Sequence, residues 1–281
     1  MNIGVLCERE GLAGKIAALG TADYIYSYEF PLCSGKGAQK WIQLMPHVFR
    51  KGTEIHIDSR ADGVLIRNTD ELGYILEQGL SKEIVADCGV YTMNAGAVRE
   101  LMEDGVTRTT YPLELNFKEL AERGYPESSE LIVYGRAGLM ISANCVYKDS
   151  RKKCAHTGGR EDNPAAGRGQ FYVNLKDRKN TDFPVLCDCR YCYNVIYNSV
   201  PTSLHKAMDR VCELNPHTLR LDFTDEDYKS AAAILEYYVN LIRDCQVPLL
   251  REGKRDKAAP GKAAPEILNS FTYGHFKNAV E

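Results

Sequence analysis

The chain has 281 residues, of which 44% are hydrophobic and 26% charged, and its formal net charge is −3. That length and apolar content supply a sizeable core, and the charge excludes a globally basic nucleic-acid binder while leaving room for a local basic groove. The opening MNIGVLCEREGLAG meets acidic residues after a short apolar run, so it reads as a strand rather than a signal peptide, and no run has the apolar length of a transmembrane helix. The expected location is the cytoplasm, with no membrane partner.

Eight short runs rich in β-branched and aromatic residues follow in chain order. They are NIGVLC (near 3–8), YIYSYEF (24–30), WIQLMPH (41–47), GVLIRN (63–68), EIVADCGV (83–90), RTTYPLEL (108–115), ELIVYGR (130–136) and TLRLDF (218–223). Continuous hydrophobicity suits parallel strands buried on both faces. Between them lie helical patterns. NTDELGYILEQG opens at Asn68 and Thr69 and closes on Gly79; NAGAVRELMEDG runs from Asn94 to Gly105; LNFKELAERG runs from Asn116 to Gly124. The repeat of strand, cap, amphipathic helix and glycine predicts an α/β fold, a (β/α)8 TIM-like barrel. Its second and third crossovers are too short for good helices, so irregularity is expected there. The chain is expected to form one barrel domain over 1–281.

A barrel gathers the C-terminal ends of its strands at one mouth. Those ends carry Glu29, His47, Arg67, Asp87, Glu114, Arg136 and Asp222. For any one of them a solvated strand end or a helix cap is a competing explanation, and capping alone accounts for Asn68 and Asn94.

After the seventh strand the repeat breaks into an insertion over 142–192. Within it YVNLKD and FPVLCD flank DRKNTD as a β-hairpin, and NVIYNSV reads as a further strand. DEDYKSAAAILEYYVNLIRDC reads as a long amphipathic helix with acidic residues in its first turn. REGKRDKAAPGKAAPE, about 251–266, reads as a flexible loop, and the aromatic FTYGHFKNAVE is expected to dock back on the barrel.

The chain has 10 cysteines. Cys7, Cys33, Cys88, Cys212 and Cys245 are scattered and read as small buried hydrophobes. Cys145, Cys154, Cys187, Cys189 and Cys192 crowd one stretch. In a reducing compartment clustered thiols mean metal or redox chemistry more often than disulfides. The C-x-x-C turn points two sulfurs at one centre, but C-x8-C…C-x-C-x2-C is not a zinc-ribbon pattern. The spacing weighs zinc and an iron–sulfur cluster about equally, with unliganded thiols behind them. His156 is a further ligand candidate, against an exposed loop histidine. The basic SRKKC and GGR segments are expected to lower the thiol pKa values or to contact phosphate.

The stretch ELIVYGRAGLMISANC, from Glu130 to Cys145, resembles the core motif of peptidase family U-32, the collagenase-like peptidases. WIQLMPHVFR, GVLIRN, IVADCGVYTMN, TYPLELN, YCYNVIYNSVPTSL and TYGHFKNAVE support the resemblance over roughly residues 40–281. Residues 1–40 match weakly, and the chain looks like a short stand-alone member without the additional half-barrel module. The resemblance implies oxygen-independent hydroxylation of RNA bases or of a related aromatic substrate such as a ubiquinone precursor, with prephenate implicated as oxygen source. It also implies a [4Fe–4S] cluster held by four cysteines. Cys145 corresponds to the family cysteine that follows the strand. Gly138 stands where many members carry another cysteine, so Cys154, Cys189 and Cys192 are taken to complete the set, with Cys187 as alternate and zinc as the alternative cofactor. Arg136 and Arg67 are the candidates for binding an anionic group, and Asp87 or Glu114 for acid–base work; Tyr134 and His275 are secondary candidates. The family name also implies a metal-dependent peptidase, but neither H-E-x-x-H nor G-x-S-x-G is present. A third reading is a non-catalytic, cluster-bearing subunit that pairs with a larger homologue.

Overall fold

The computed structural model describes residues 1–32, 39–49, 53, 55–152, 154, 169–246 and 264–278. In chain order its strands are β1 (Asn2–Cys7), β2 (Tyr24–Ser27), β3 (Lys40–Leu44), β4 (Gly63–Ile66), β5 (Glu83–Ala86), β6 (Arg108–Thr110), β7 (Ser129–Gly135), β8 (Gly138–Ser142), β9 (Gln170–Lys176), β10 (Asp182–Asp188), β11 (Tyr193–Tyr197), β12 (Thr202–Ser203) and β13 (Thr218–Phe223). The helices are α1 (Leu12–Ala17), α2 (Thr69–Glu77), α3 (Ala95–Glu103), α4 (Phe117–Arg123), α5 (Val146–Arg151), α6 (Met208–Leu214) and α7 (Tyr228–Gln246).

Each of the eight strand-like runs overlaps a barrel strand. β1 to β6 pair in sequence, β6 pairs with β7, β7 with β13 and β13 with β1, all in parallel, so the sheet closes. β2, β4 and β7 are buried along their whole length, as strands covered on both faces must be. α1, α6 and α7 pack Leu12, Ile16, Val211, Ile234 and Tyr238 against the outward residues of β1, β7 and β13 in the largest apolar cluster. Full burial of such a side chain stabilises by about 1.5–3 kcal/mol.

Asn68, Asn94 and Asn116 cap α2, α3 and α4 by accepting backbone N–H bonds, and Asn116 forms a reciprocal capping box with Glu119. Such a cap stabilises by about 1 kcal/mol. Among the described residues no helix lies between β2 and β3 or between β3 and β4. The acidic residues expected in the first turn of α7 precede it instead. Asp227 accepts the Ser230 N–H at 2.8 Å, which is a capping contact.

The hairpin of the insertion joins the flanking strands β8 and β11 in a second, antiparallel sheet in the order β8-β11-β10-β9, which extends beyond the expected bounds 142–192 to 138–197. β9 and β10 form the expected hairpin. β8 is an edge strand whose Leu139, Met140 and Ile141 are exposed. The loop expected over 251–266 falls outside the described residues except for its last three, where Glu266 opens a 3₁₀ turn. The C-terminal stretch docks: Thr272 bridges Thr202, and the buried Phe276 meets Phe117 with ring centroids 5.9 Å apart. Among the scattered cysteines Cys7 is buried as expected, whereas Cys88 is only partly buried and Cys212 is disulfide-bonded; Cys33 and the side chain of Cys245 lie outside the described residues. Among those residues no helix is long and apolar enough to cross a membrane.

Candidate functional site at the barrel mouth

Alternate residues of a barrel strand point inward, and here several inward positions carry charge. Arg220, in the middle of β13, is fully buried. Its guanidinium donates to Asp87 at 2.6 Å, Asp222 at 2.8 Å, Glu130 at 3.2 Å and the Thr110 hydroxyl at 3.1 Å. Glu130 also accepts from Arg108 at 3.0 Å and from the Tyr26 hydroxyl. Buried charges are tolerated only when paired in this way. Gly135 closes β7 at φ 156, and a Cβ there would lie 2.8 Å from that of Asp222, so the strand end admits only glycine beside this network.

Above the network lies a cavity of about 450 Å3. Glu8, just past β1, and Arg67, just past β4, meet there at 2.5 Å, and His47 Nε2 lies 3.1 Å from the same Glu8 oxygen. Arg67 also donates to the Tyr28 hydroxyl at 2.7 Å and to the Met45 carbonyl at 3.2 Å. Burial would push the Glu8 carboxyl up, but Arg67 and His47 outweigh it and lower its pKa to about 2. Burial, with Arg67 alongside, lowers the pKa of His47 and favours the neutral ring. Burial also dominates at Asp222, raising it to about 6 despite Arg220. The roof of the cavity is the antiparallel sheet, through Leu139, Met140 and Ile141 of β8 and Val195 and Tyr197 of β11.

Six of the seven strand-end residues line this one cavity: His47, Arg67, Asp87, Glu114, Arg136 and Asp222. Glu29 does not; it is exposed and lines a separate cavity of about 440 Å3 beside α1. The two expected anion-binding arginines are already engaged. Arg136 pairs with Asp225 at 2.8 Å and donates to the carbonyls of Asn198 and Ser199, and Arg67 is held as described. Asp87 sits between Arg220 and Arg67, whose pull lowers its pKa against burial. Tyr134 is buried and donates to Glu226 at 2.6 Å, while His275 is exposed in the docked tail beside a different, apolar cavity. Glu8, Arg220 and Tyr197 are the residues that strand-end reasoning missed. An arginine at the centre of the apolar TLRLDF was the available signal for Arg220.

Cys145, Cys154, Cys187, Cys189 and Cys192 line a second chamber, of about 290 Å3, together with Lys148, Asp188 and Tyr193. The hairpin returns β10 to the start of the insertion, which brings the two groups of cysteines together. All five are thiols. Cys145 is also the cap of α5, accepting the Lys148 N–H at 3.4 Å, and Cys192 takes a left-handed φ of 56°. Burial, then Cys145 and Cys189, raise the Cys187 thiol to about 12; burial, then Cys145 and Cys192, raise Cys189 to about 11. This is opposite to the lowering expected from the neighbouring basic segments, because burial and the mutual repulsion of thiolates dominate. His156 and the GGR segment lie outside the described residues. Among the described residues no three His, Cys, Asp or Glu side chains are set to hold a metal ion. Tyr193 joins the two cavities: it lines the thiol chamber, and its hydroxyl accepts the backbone N–H of His47 at 3.1 Å.

Comparison of the chain with protein-family models, with curated proteins and with solved structures finds no match.

Proposed function

We propose that this chain is an iron–sulfur enzyme of the peptidase U-32 type that hydroxylates an RNA base or a related aromatic substrate without molecular oxygen. The substrate would occupy the barrel mouth and a [4Fe–4S] cluster the chamber beside it. The observation that carries this reading is the convergence of five cysteines on one chamber, joined through Tyr193 to the loop that bears His47. Soft thiolates are the donor set of zinc and of iron–sulfur clusters. A zinc ion needs its donors about 2.3 Å from one point, whereas a cluster takes one thiolate per iron and so needs them around a chamber. Cys145, Cys154, Cys189 and Cys192 would hold it. Cys187, packed among Phe171, Val185 and Val173, is the alternate.

When bound, the cluster supplies one-electron redox chemistry. The chain's own residues would bind the substrate and handle protons. The apolar side chains of β8 and β11 would pack against the substrate at the roof of the cavity. Among its carboxylates Asp222 is suited to exchanging a proton near neutral pH, while Asp87 stays ionised between two arginines. Glu114 lines the same cavity and is the other acid–base candidate by position. Anaerobic purification with iron and sulfide analysis tests the reading. About four of each per chain are expected; stoichiometric zinc or metal-free protein would overturn it. Modified nucleosides in RNA from cells with and without the gene then separate the substrates, since an unchanged profile removes RNA.

A further inference from the structure

We infer that the barrel mouth recognises an uncharged group carrying a hydrogen-bond donor beside an acceptor, the edge of an amide or lactam, and not a carboxylate or phosphate. The observation is a set of buried polar atoms without partners in one place. Glu8 Oε2 and Arg67 Nε have no hydrogen-bond partner, although the residues are only 3% and 8% exposed and both line the mouth cavity. Arg67 Nε lies 3.5 Å from Asp87, an ion-pair distance without hydrogen-bond geometry. The Tyr197 hydroxyl, buried in the same cavity wall, is also unpartnered, as is that of Tyr172 on the neighbouring sheet. Glu8, Arg67 and Tyr197 all line the mouth cavity, so these three orphans belong to one neighbourhood. Buried polar atoms nearly always have partners, and a cluster of orphans marks a place for bound water or a ligand.

Charge narrows the ligand. The cavity is lined by the carboxylates of Glu8, Asp87, Glu114 and Asp222 and by the guanidiniums of Arg67 and Arg136. Arg67 already faces Glu8 and Asp87, and Arg136 faces Asp225. Arg220, beneath them, holds three carboxylates. An anion entering this cavity meets more carboxylates than cations and no uncommitted guanidinium, and at low dielectric that repulsion is strong. A neutral group avoids it. An ionised Glu8 only accepts, Arg67 Nε only donates, and a tyrosine hydroxyl does either. An amide edge places N–H beside C=O and satisfies this pattern; a carboxylate offers Glu8 no donor.

This inference rests on the proposed function only in taking the mouth as the ligand site; it does not need the cluster. Its test is ligand-observed NMR titration of the full-length protein with 2-pyridone, N-methyl-2-pyridone and benzoate. We expect 2-pyridone to bind in the millimolar range. N-methyl-2-pyridone, lacking the donor, and benzoate, carrying the charge, should bind at least about tenfold more weakly. Glu8→Gln should erase the discrimination against benzoate. Tyr197→Phe, which breaks no existing hydrogen bond, should weaken 2-pyridone severalfold in a protein that still melts cooperatively, and it carries the test if Glu8→Gln fails to fold. Benzoate binding as tightly as 2-pyridone, no 2-pyridone binding at millimolar concentration, or 2-pyridone binding unmoved by Tyr197→Phe would each overturn the inference. Selective 2-pyridone binding by a protein that incorporates no iron would leave it standing and remove the iron–sulfur reading instead.

Discussion

Arg220 and Asp87 lie 133 residues apart in the chain and meet at 2.6 Å inside the barrel. The same guanidinium holds Asp222 and Glu130. One side chain on β13 therefore ties together the ends of β5 and β13 and the start of β7. Replacing it by Met keeps much of its volume but leaves Asp222 without its cation, Glu130 with Arg108 alone and Asp87 with Arg67 alone. Breaking a buried ionic network in this way costs roughly 3–5 kcal/mol. Urea unfolding of Arg220→Met should show a loss of that size at unchanged m-value; a loss under about 1 kcal/mol would mean that the carboxylates are compensated from elsewhere.

Asp222 sets a pH dependence. Its folded pKa of about 6 exceeds the ordinary aspartate value of 3.8. Between those values the folded state binds the proton and the unfolded state does not. The contribution of Asp222 to stability is therefore fully present below about pH 4 and is lost as pH rises through about 6. The unfolding free energy of the wild type should fall relative to that of Asp222→Asn as pH rises from about 4 to about 7, with the shallower slope in the variant. Parallel curves from pH 4 to pH 7 would contradict the assignment to Asp222.

Tyr197 and Tyr134 are both buried phenols, and they should respond oppositely to loss of the hydroxyl. Tyr197 OH has no partner, so Tyr197→Phe removes an unsatisfied polar group and should stabilise the protein by about 1 kcal/mol. Tyr134 donates to Oε1 of Glu226, a residue 4% exposed; Tyr134→Phe strips that buried oxygen of its donor, while Oε2 keeps the Thr224 N–H, and should cost about 1–3 kcal/mol. Chemical denaturation of the two variants side by side checks the contrast. A destabilised Tyr197→Phe would show that its hydroxyl is held in solution.

The thiol chamber makes a graded prediction. Single serine replacements of Cys145, Cys154, Cys189 and Cys192 should each lower bound iron in anaerobically purified protein, because each removes one ligand of the proposed cluster. Cys187→Ser should retain most of the iron and lose stability instead, since it puts a hydroxyl into the apolar packing of Phe171 and Val185. Iron loss confined to Cys187→Ser would reverse the ligand assignment.

Much of the scaffold is written in local pattern. The eight runs, the asparagine caps at 68, 94 and 116 and the β9–β10 hairpin depend on residues close in sequence: apolar continuity, a side chain reaching the N–H two or three positions on, a turn between alternating segments. The strand-end rule also carried six of seven residues to one cavity, because a closed barrel sends every strand end to the same rim. Glu29 escaped it: it is exposed and lines the separate cavity beside α1.

What the site does was decided by tertiary structure. The sequence displays Arg67 and Arg136 as open cations, yet folding delivers Glu8 to the first from 59 residues away and Asp225 to the second from 89. It displays five cysteines beside basic residues, yet burial raises Cys187 and Cys189 rather than lowering them. Charge pairing and desolvation depend on distance in space and on the surrounding dielectric, neither of which is local in sequence. The chain by itself determined a barrel with a cysteine-bearing insertion. Only the closed structure determined that the cations at its mouth are committed, that Glu8, Arg67, Tyr172 and Tyr197 keep polar atoms unpartnered, and that the thiols share one chamber.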